Sequence, residues 1–140
     1  MINSGLAGRL FVDALGYRIT ERSWAIRVPM PTPSLNQIQG KHWRVIHRMT
    51  QNMQTAVMVA CANGPAIPKA TGKRKVLITR HGKGILDADN LAGGAKSLID
   101  ALKLRGLLLD DDPAHVEVVY RQVLERTAKP YTSVEIQEAA

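Results

Sequence analysis

A chain of 140 residues, 45% of them hydrophobic, can fill one modest core but not two, so a single compact domain is expected. With one cysteine, Cys61, it can form no internal disulfide and no thiolate zinc cluster. It lacks both a signal-peptide pattern and any apolar run near the roughly 20 residues that span a bilayer, so a cytoplasmic protein without membrane attachment is expected.

The net charge of +7 is unevenly spread. Residues 1–86 hold thirteen Lys/Arg against Asp13 and Glu21, a local balance of +11, whereas six of the twelve acidic residues fall in 87–112. An acidic cluster inside a basic chain suits a polyanion binder that also holds cations, although ordinary solvated faces would give the same totals.

Residues 1–22 show no sustained period and are assigned as an N-terminal extension, with a short amphipathic segment at 10–15 weakened by Gly5, Gly8 and Gly16. Trp24, Ile26 and Val28 alternate with Ala25 and Arg27, which predicts a half-buried strand that stops at Pro29. Pro29, Pro31 and Pro33 then fix a stiff loop leading to Asn36. From 43 to 62, Val45, Met49, Met53, Ala56, Val57 and Ala60 recur at helical spacing, and Gly64-Pro65 ends that helix. A basic connector through Lys69, Lys73 and Arg74 precedes a strand at 76–79 and a turn at Gly82 and Gly84. A second helix is predicted at about 95–104, closed by Gly106, with Leu98, Ala101 and Leu102 inward. Val116, Val118 and Tyr120 alternate as a strand, and 133–136 gives a last short one.

The chemistry concentrates in the acids. If Asp87-Ala88-Asp89 is extended, both carboxylates point to one face and can share a hard cation. Magnesium is typically held by a few carboxylates together with water and substrate phosphate, and Asp110-Asp111-Asp112, after three leucines, offers a third ligand. Each feature also has an ordinary explanation. Asp89 or Asn90 can cap a helix, Asp112-Pro113 can form a turn, and Lys96 can make a solvated pair with Asp100. Together the acids fit phosphodiester hydrolysis, in which a metal activates water and stabilises phosphate charge and Lys96 adds a cation.

Pro31-Thr32-Pro33-Ser34-Leu35-Asn36, Asp87-Ala88-Asp89-Asn90-Leu91, Lys96 with Asp100-Ala101-Leu102, and Gly106-Leu107-Leu108-Leu109-Asp110-Asp111 follow one another in an order that resembles the RusA-like Holliday-junction resolvases over about residues 24–136. The resemblance implies an α+β fold, a small mixed sheet with two main helices in one domain at 23–140. It implies a magnesium-dependent endonuclease, with manganese as a substitute, that nicks four-way DNA junctions symmetrically as a homodimer in recombination and repair. Many such proteins are carried by prophages. Carried over by residue, the metal-binding carboxylates are Asp87, Asp89 and Asp111, the catalytic lysine is Lys96, Asn90 follows the acidic pair, and Asp110 is a less critical neighbour.

Two departures from the pattern matter. Leu91-Ala92-Gly93-Gly94-Ala95-Lys96 is about three residues longer than the family spacing, so either the glycines loop out and Lys96 lies one turn before Asp100, or a helix from Asn90 turns Lys96 elsewhere. Leu86 stands where a basic residue is expected, so DNA affinity is assigned to Asn36, Asn90, Lys69, Lys73, Arg74, Lys75, Arg80 and Lys83. Trp24 is read as core and His81 as a surface or DNA-facing residue. The alternatives are a DNA- or junction-binding protein with a decayed active site, and a nuclease for another structured nucleic acid such as flaps or RNA.

Overall fold

The computed structural model describes residues 9–12, 18–126 and 129–139. The proposed extension contains two strands, β1 (Arg9–Val12) and β2 (Arg18–Glu21), paired antiparallel as a sheet of their own. The amphipathic segment expected at 10–15 is therefore strand as far as Val12, and 13–15 lie outside the described residues.

The main sheet begins at Ser23. In β3 (Ser23–Val28), Trp24, Ile26 and Val28 are buried and Ala25 and Arg27 exposed, as the alternation requires. The chain then enters the proline loop, and Ser34 starts a single helical turn, α1 (Leu35–Ile38), through a reciprocal cap with Gln37. That turn was not foreseen, because prolines dominate the local pattern. The loop is tied to the sheet where the Thr32 N–H donates to Thr132 Oγ1 and Thr132 Oγ1 donates to the Met30 carbonyl.

After α2 (Trp43–Ala62) come β4 (Arg74–Gly82), α3 (Ala88–Gly94), α4 (Lys96–Leu104), β5 (Val116–Leu124) and β6 (Tyr131–Glu138). The sheet order is β3-β6-β4-β5; β6 is antiparallel to both neighbours, and β4 and β5 are parallel. The class is α+β with a mixed sheet, as expected. The closing segment expected to be short is an eight-residue strand in the interior of the sheet, where Thr132, Val134 and Ile136 face the core.

Parallel neighbours need a long crossover. Here the connection from Gly82 to Val116 carries α3, α4 and both acidic motifs. One sheet face packs on α2 and α4, with Met53, Val57, Leu98 and Leu102 meeting Trp24, Ile26, Val76, Ile78, Val134 and Ile136. Gly106 follows α4 at φ 77°, the left-handed C-terminal position that glycine adopts without a Cβ penalty. The core half of α2 starts only at Met53. Residues 43–52 contain no buried side chain, so Val45 and Met49 lie outside the core.

Candidate acidic site

Asp87-Ala88-Asp89 is not extended, which corrects the two-carboxylate face expected of it. Asp87 is the N-cap of α3: its carboxylate accepts the Asn90 backbone N–H at 2.9 Å and the Asn90 side-chain amide at 2.9 Å. Satisfying free helix N–H groups outweighs any strand preference of so short a segment. The Asn90 backbone N–H, then its side chain, hold the Asp87 carboxyl below the usual carboxylate range. Asp89 lies in the first turn of α3, where the helix dipole favours an anion. Asn90 Oδ1 in turn accepts the Asn36 N–H at 3.0 Å, so Asn36, Asn90 and Asp87 form one chain of contacts.

The extra residues do not loop out, yet Lys96 takes the place the first arrangement gave it, one turn before Asp100. Gly93 and Gly94 are the last turn of α3, pressed onto the proline loop, and Ala95 separates α3 from α4. A Cβ on Gly94 would lie 1.6 Å from the Pro33 carbonyl oxygen. Lys96 opens α4 one turn before Asp100, with Nζ 3.6 Å from Asp100 Oδ1 and 3.9 Å from Asp111 Oδ2. A cleft of about 290 Å³ adjoins it, between α1, α2 and the start of α4.

The leucine run is split, with Leu107 and Leu108 buried and Leu109 exposed. The three following aspartates take separate partners. Asp110 is 2.9 Å from Lys103 Nζ and accepts the Asp111 N–H, and the Lys103 hydrogen bond leads in lowering its carboxyl pKa to about 2. Asp112 Oδ1 accepts the His115 N–H and lies 2.6 Å from His115 Nδ1.

Among the described residues, the set of three metal-ligating side chains whose donor atoms lie within 4.8 Å of one another is Asp110, Asp112 and His115. This set could hold a metal ion: its carboxylates suit hard cations, while the imidazole suits transition metals, and it does not specify which ion. Asp87, Asp89 and Asp111, expected to converge, are not a set of this kind in the side-chain orientations they take. Asp87 is turned to its cap, and Asp111 shares Lys96 with Asp100. His115 escaped the sequence reading because the histidines were compared with one another rather than with an aspartate three residues away.

The basic residues also divide. Arg74, expected at DNA, is buried: its guanidinium donates to the Leu107 carbonyl at 2.9 Å, meets Glu138 at 3.5 Å and lies 5.0 Å over the Trp24 ring. Burial lowers its pKa, and Glu138 opposes that shift. Arg80, also assigned to DNA, donates to the carbonyls of Thr32 and Gly84 and so anchors two loops. Lys73, Lys75 and Lys83 remain exposed. His81, read as a surface or DNA-facing residue, is largely covered, its side chain 12% exposed. Its nitrogens pair with Glu125 Oε1 at 2.8 Å and Ser133 Oγ at 3.0 Å, and its ring stacks on Tyr131. Trp24 is core, as read.

Gln122 was missed. Its side-chain amide donates to the Leu86 carbonyl and accepts the Leu86 N–H, both at 2.7 Å, fixing the backbone immediately before Asp87. A glutamine in the alternating pattern of β5 carries no signal of that partner. Gln122→Ala should accelerate amide hydrogen exchange at Leu86 about tenfold and lower stability by about 1 kcal/mol in urea unfolding. Unchanged exchange at Leu86 would show that the clamp is not formed.

Neither a protein-family model nor a curated protein matches this chain. Among the described residues, no helix is long and apolar enough to cross a membrane.

Proposed function

We propose that the protein is a divalent-metal-dependent endonuclease that nicks branched DNA, acting on four-way junctions as a homodimer in the manner its resemblance to the RusA-like resolvases implies. The observation that carries this reading is the approach of Lys96 to Asp111. The two residues are separated by the whole of α4 and a turn, yet Nζ and Oδ2 lie 3.9 Å apart, beside the Asp100 carboxylate.

In this reading Lys96 binds a phosphate oxygen and stabilises the charge that develops on it, while Asp100 and Asp111 orient the ammonium group. Asp87 stays ionised because Asn90 donates to it twice, and Asn36 steadies Asn90. Asp87, Asp89 and Asp111, with Asp110 adjacent, would hold magnesium, or manganese in its place; the ion would activate water and neutralise phosphate charge. All three residues are exposed; the Asp89 side chain is not tied to the α3 cap, whereas Asp87 would share its carboxylate between that cap and the ion.

A second reading, DNA binding without cleavage, is favoured by the engagement of Asp87 as the cap of α3, where Asn90 takes both of its carboxylate oxygens. The test is a synthetic four-way junction incubated with the protein in magnesium, in manganese and in chelator. Paired nicks in either metal and none in chelator are expected. Binding with no nick in any condition establishes the second reading, and equal cutting of flaps or RNA removes the preference for junctions.

A further inference from the structure

We propose that the cleft beside Lys96 is a subsite for one nucleobase, that of the nucleotide whose phosphate Lys96 holds, turned out of its stack when the protein binds. The inference rests on the reading that Lys96 holds a DNA phosphate, and it adds the residues that receive the base.

The cleft is a gap lined by side chains that a core would normally close. Its volume is about 290 Å³, at the lower end of the roughly 300–1,000 Å³ usual for small-ligand pockets. Leu35 and Ile38 line it from α1, Ile46 and Met49 from α2, and Pro33 from the loop. Ile46, Met49 and Thr50 are three and four residues apart and so share one face of α2. None of the five apolar residues is part of the main core or packed against it, and all five are half-buried. Apolar side chains in a protein interior close on one another at the density of an organic crystal. Here they surround open space instead.

The polar part of the lining selects the occupant. Lys96, Ser97 and Asp100 of α4 and Thr50 of α2 complete the wall. The Lys96 side chain is 71% exposed, which puts its ammonium group at the mouth, 3.6 Å from Asp100 Oδ1 and 3.9 Å from Asp111 Oδ2. A cleft that is aliphatic within and cationic at its rim matches a group that is flat and weakly polar at one end and anionic at the other, as a nucleotide is. A free phosphate would leave Leu35, Ile38, Ile46 and Met49 without a partner, and an aliphatic side chain would leave the ammonium without one. In a nucleic acid one sugar joins each base to its phosphate, so a phosphate on Lys96 brings a base to the cleft. A base stacked within a duplex cannot enter, so it must be turned out, as enzymes that act on single bases turn theirs.

The test places 2-aminopurine, whose fluorescence rises when it is unstacked, at each position near the crossover of a four-way junction and adds wild type or Thr50→Leu/Ser97→Leu in chelator. Wild type should brighten one position several-fold. The variant, with two larger aliphatic side chains in the cleft, should bind the junction and leave that position dark. Its melting temperature should stay level or rise, because leucine fills apolar space and favours helix. With wild type alone, a mismatch opposite the bright position should tighten binding about tenfold, since less pairing has to be broken. No bright position, or equal brightening by the variant, overturns the proposal. So does a wild-type dimer that the variant turns into a monomer in sedimentation, which would give the cleft to a side chain of a second copy. Brightening by a protein that never nicks in magnesium or manganese keeps the subsite and removes the nuclease, whereas nicking without brightening removes the subsite alone.

Discussion

Asp89→Asn is expected to reduce metal-dependent nicking of a four-way junction about 10³-fold while leaving junction binding intact. The position suits the experiment because Asp89 caps nothing. The first turn of α3 is closed by Asp87, so an amide at 89 leaves the helix start and its hydrogen bonds in place. Asp87→Asn would confound two effects, since that carboxylate both caps α3 and belongs to the proposed centre. In chelator, removing a negative charge favours approach of a polyanion, so weakened DNA binding by Asp89→Asn under that condition would contradict the expected electrostatics. Nicking by the variant within about threefold of wild type would remove Asp89 from the chemistry, since loss of one stabilising contact normally costs about 100-fold or more.

The pH dependence has a definite sign. Asn90 depresses the Asp87 pKa and Lys103 depresses that of Asp110 to about 2. Carboxyls lowered on folding contribute stability that is present above their unfolded pKa and lost as pH falls through the folded one. Neither group should therefore produce a loss of activity between neutral pH and the ordinary carboxylate range.

How much of this was legible in the sequence depended on whether the relevant partner was local. Trp24, Ile26 and Val28 announce β3 by alternation, and the limits of α2 follow from its apolar period and the Gly64-Pro65 stop. Lys96 beside Asp111 was reached through resemblance rather than periodicity. What escaped was set by long-range contacts. The basic pattern around Arg74 looked like a DNA surface until Trp24 and Leu107 closed over it. Asp87 and Asp89 looked like a strand pair because their spacing is two. One hydrogen bond to Asn90 converts the same residues into a cap and a first turn, separating their side chains. The outer half of α2 shows the converse failure: Val45 and Met49 continue the helical period past the core, Val45 into solvent and Met49 onto the cleft beside Lys96.

Among the described glycines, Gly94→Ala should be the most damaging change to alanine, destabilising the protein by more than about 3 kcal/mol in urea unfolding. The glycine is not needed for its backbone angles, since positive φ occurs among the described glycines only at Gly40 and Gly106. It is needed for approach. An added Cβ would meet the Pro33 carbonyl oxygen at 1.6 Å and its carbon at 2.7 Å, and backbone pinned by proline cannot turn aside as a side chain does. Gly93→Ala is the milder comparison, because the atoms nearest its Cβ belong to the Leu35 side chain, Cδ1 and Cδ2 at 2.9 Å and Cβ at 3.0 Å, and a loss of about 1 to 2 kcal/mol is expected there. The same contact positions the proposed centre. Pro33 and Gly94 lie between Asn36, bonded to Asn90, and Lys96 at the start of α4, so forcing them apart should move Lys96 away from Asp111. Folded Gly94→Ala protein, selected at low temperature, should therefore nick more slowly than Gly93→Ala at equal DNA occupancy. Equal stability of the two variants would show that α3 does not press on the proline loop, and the route by which Lys96 reaches Asp111 would have to be sought elsewhere.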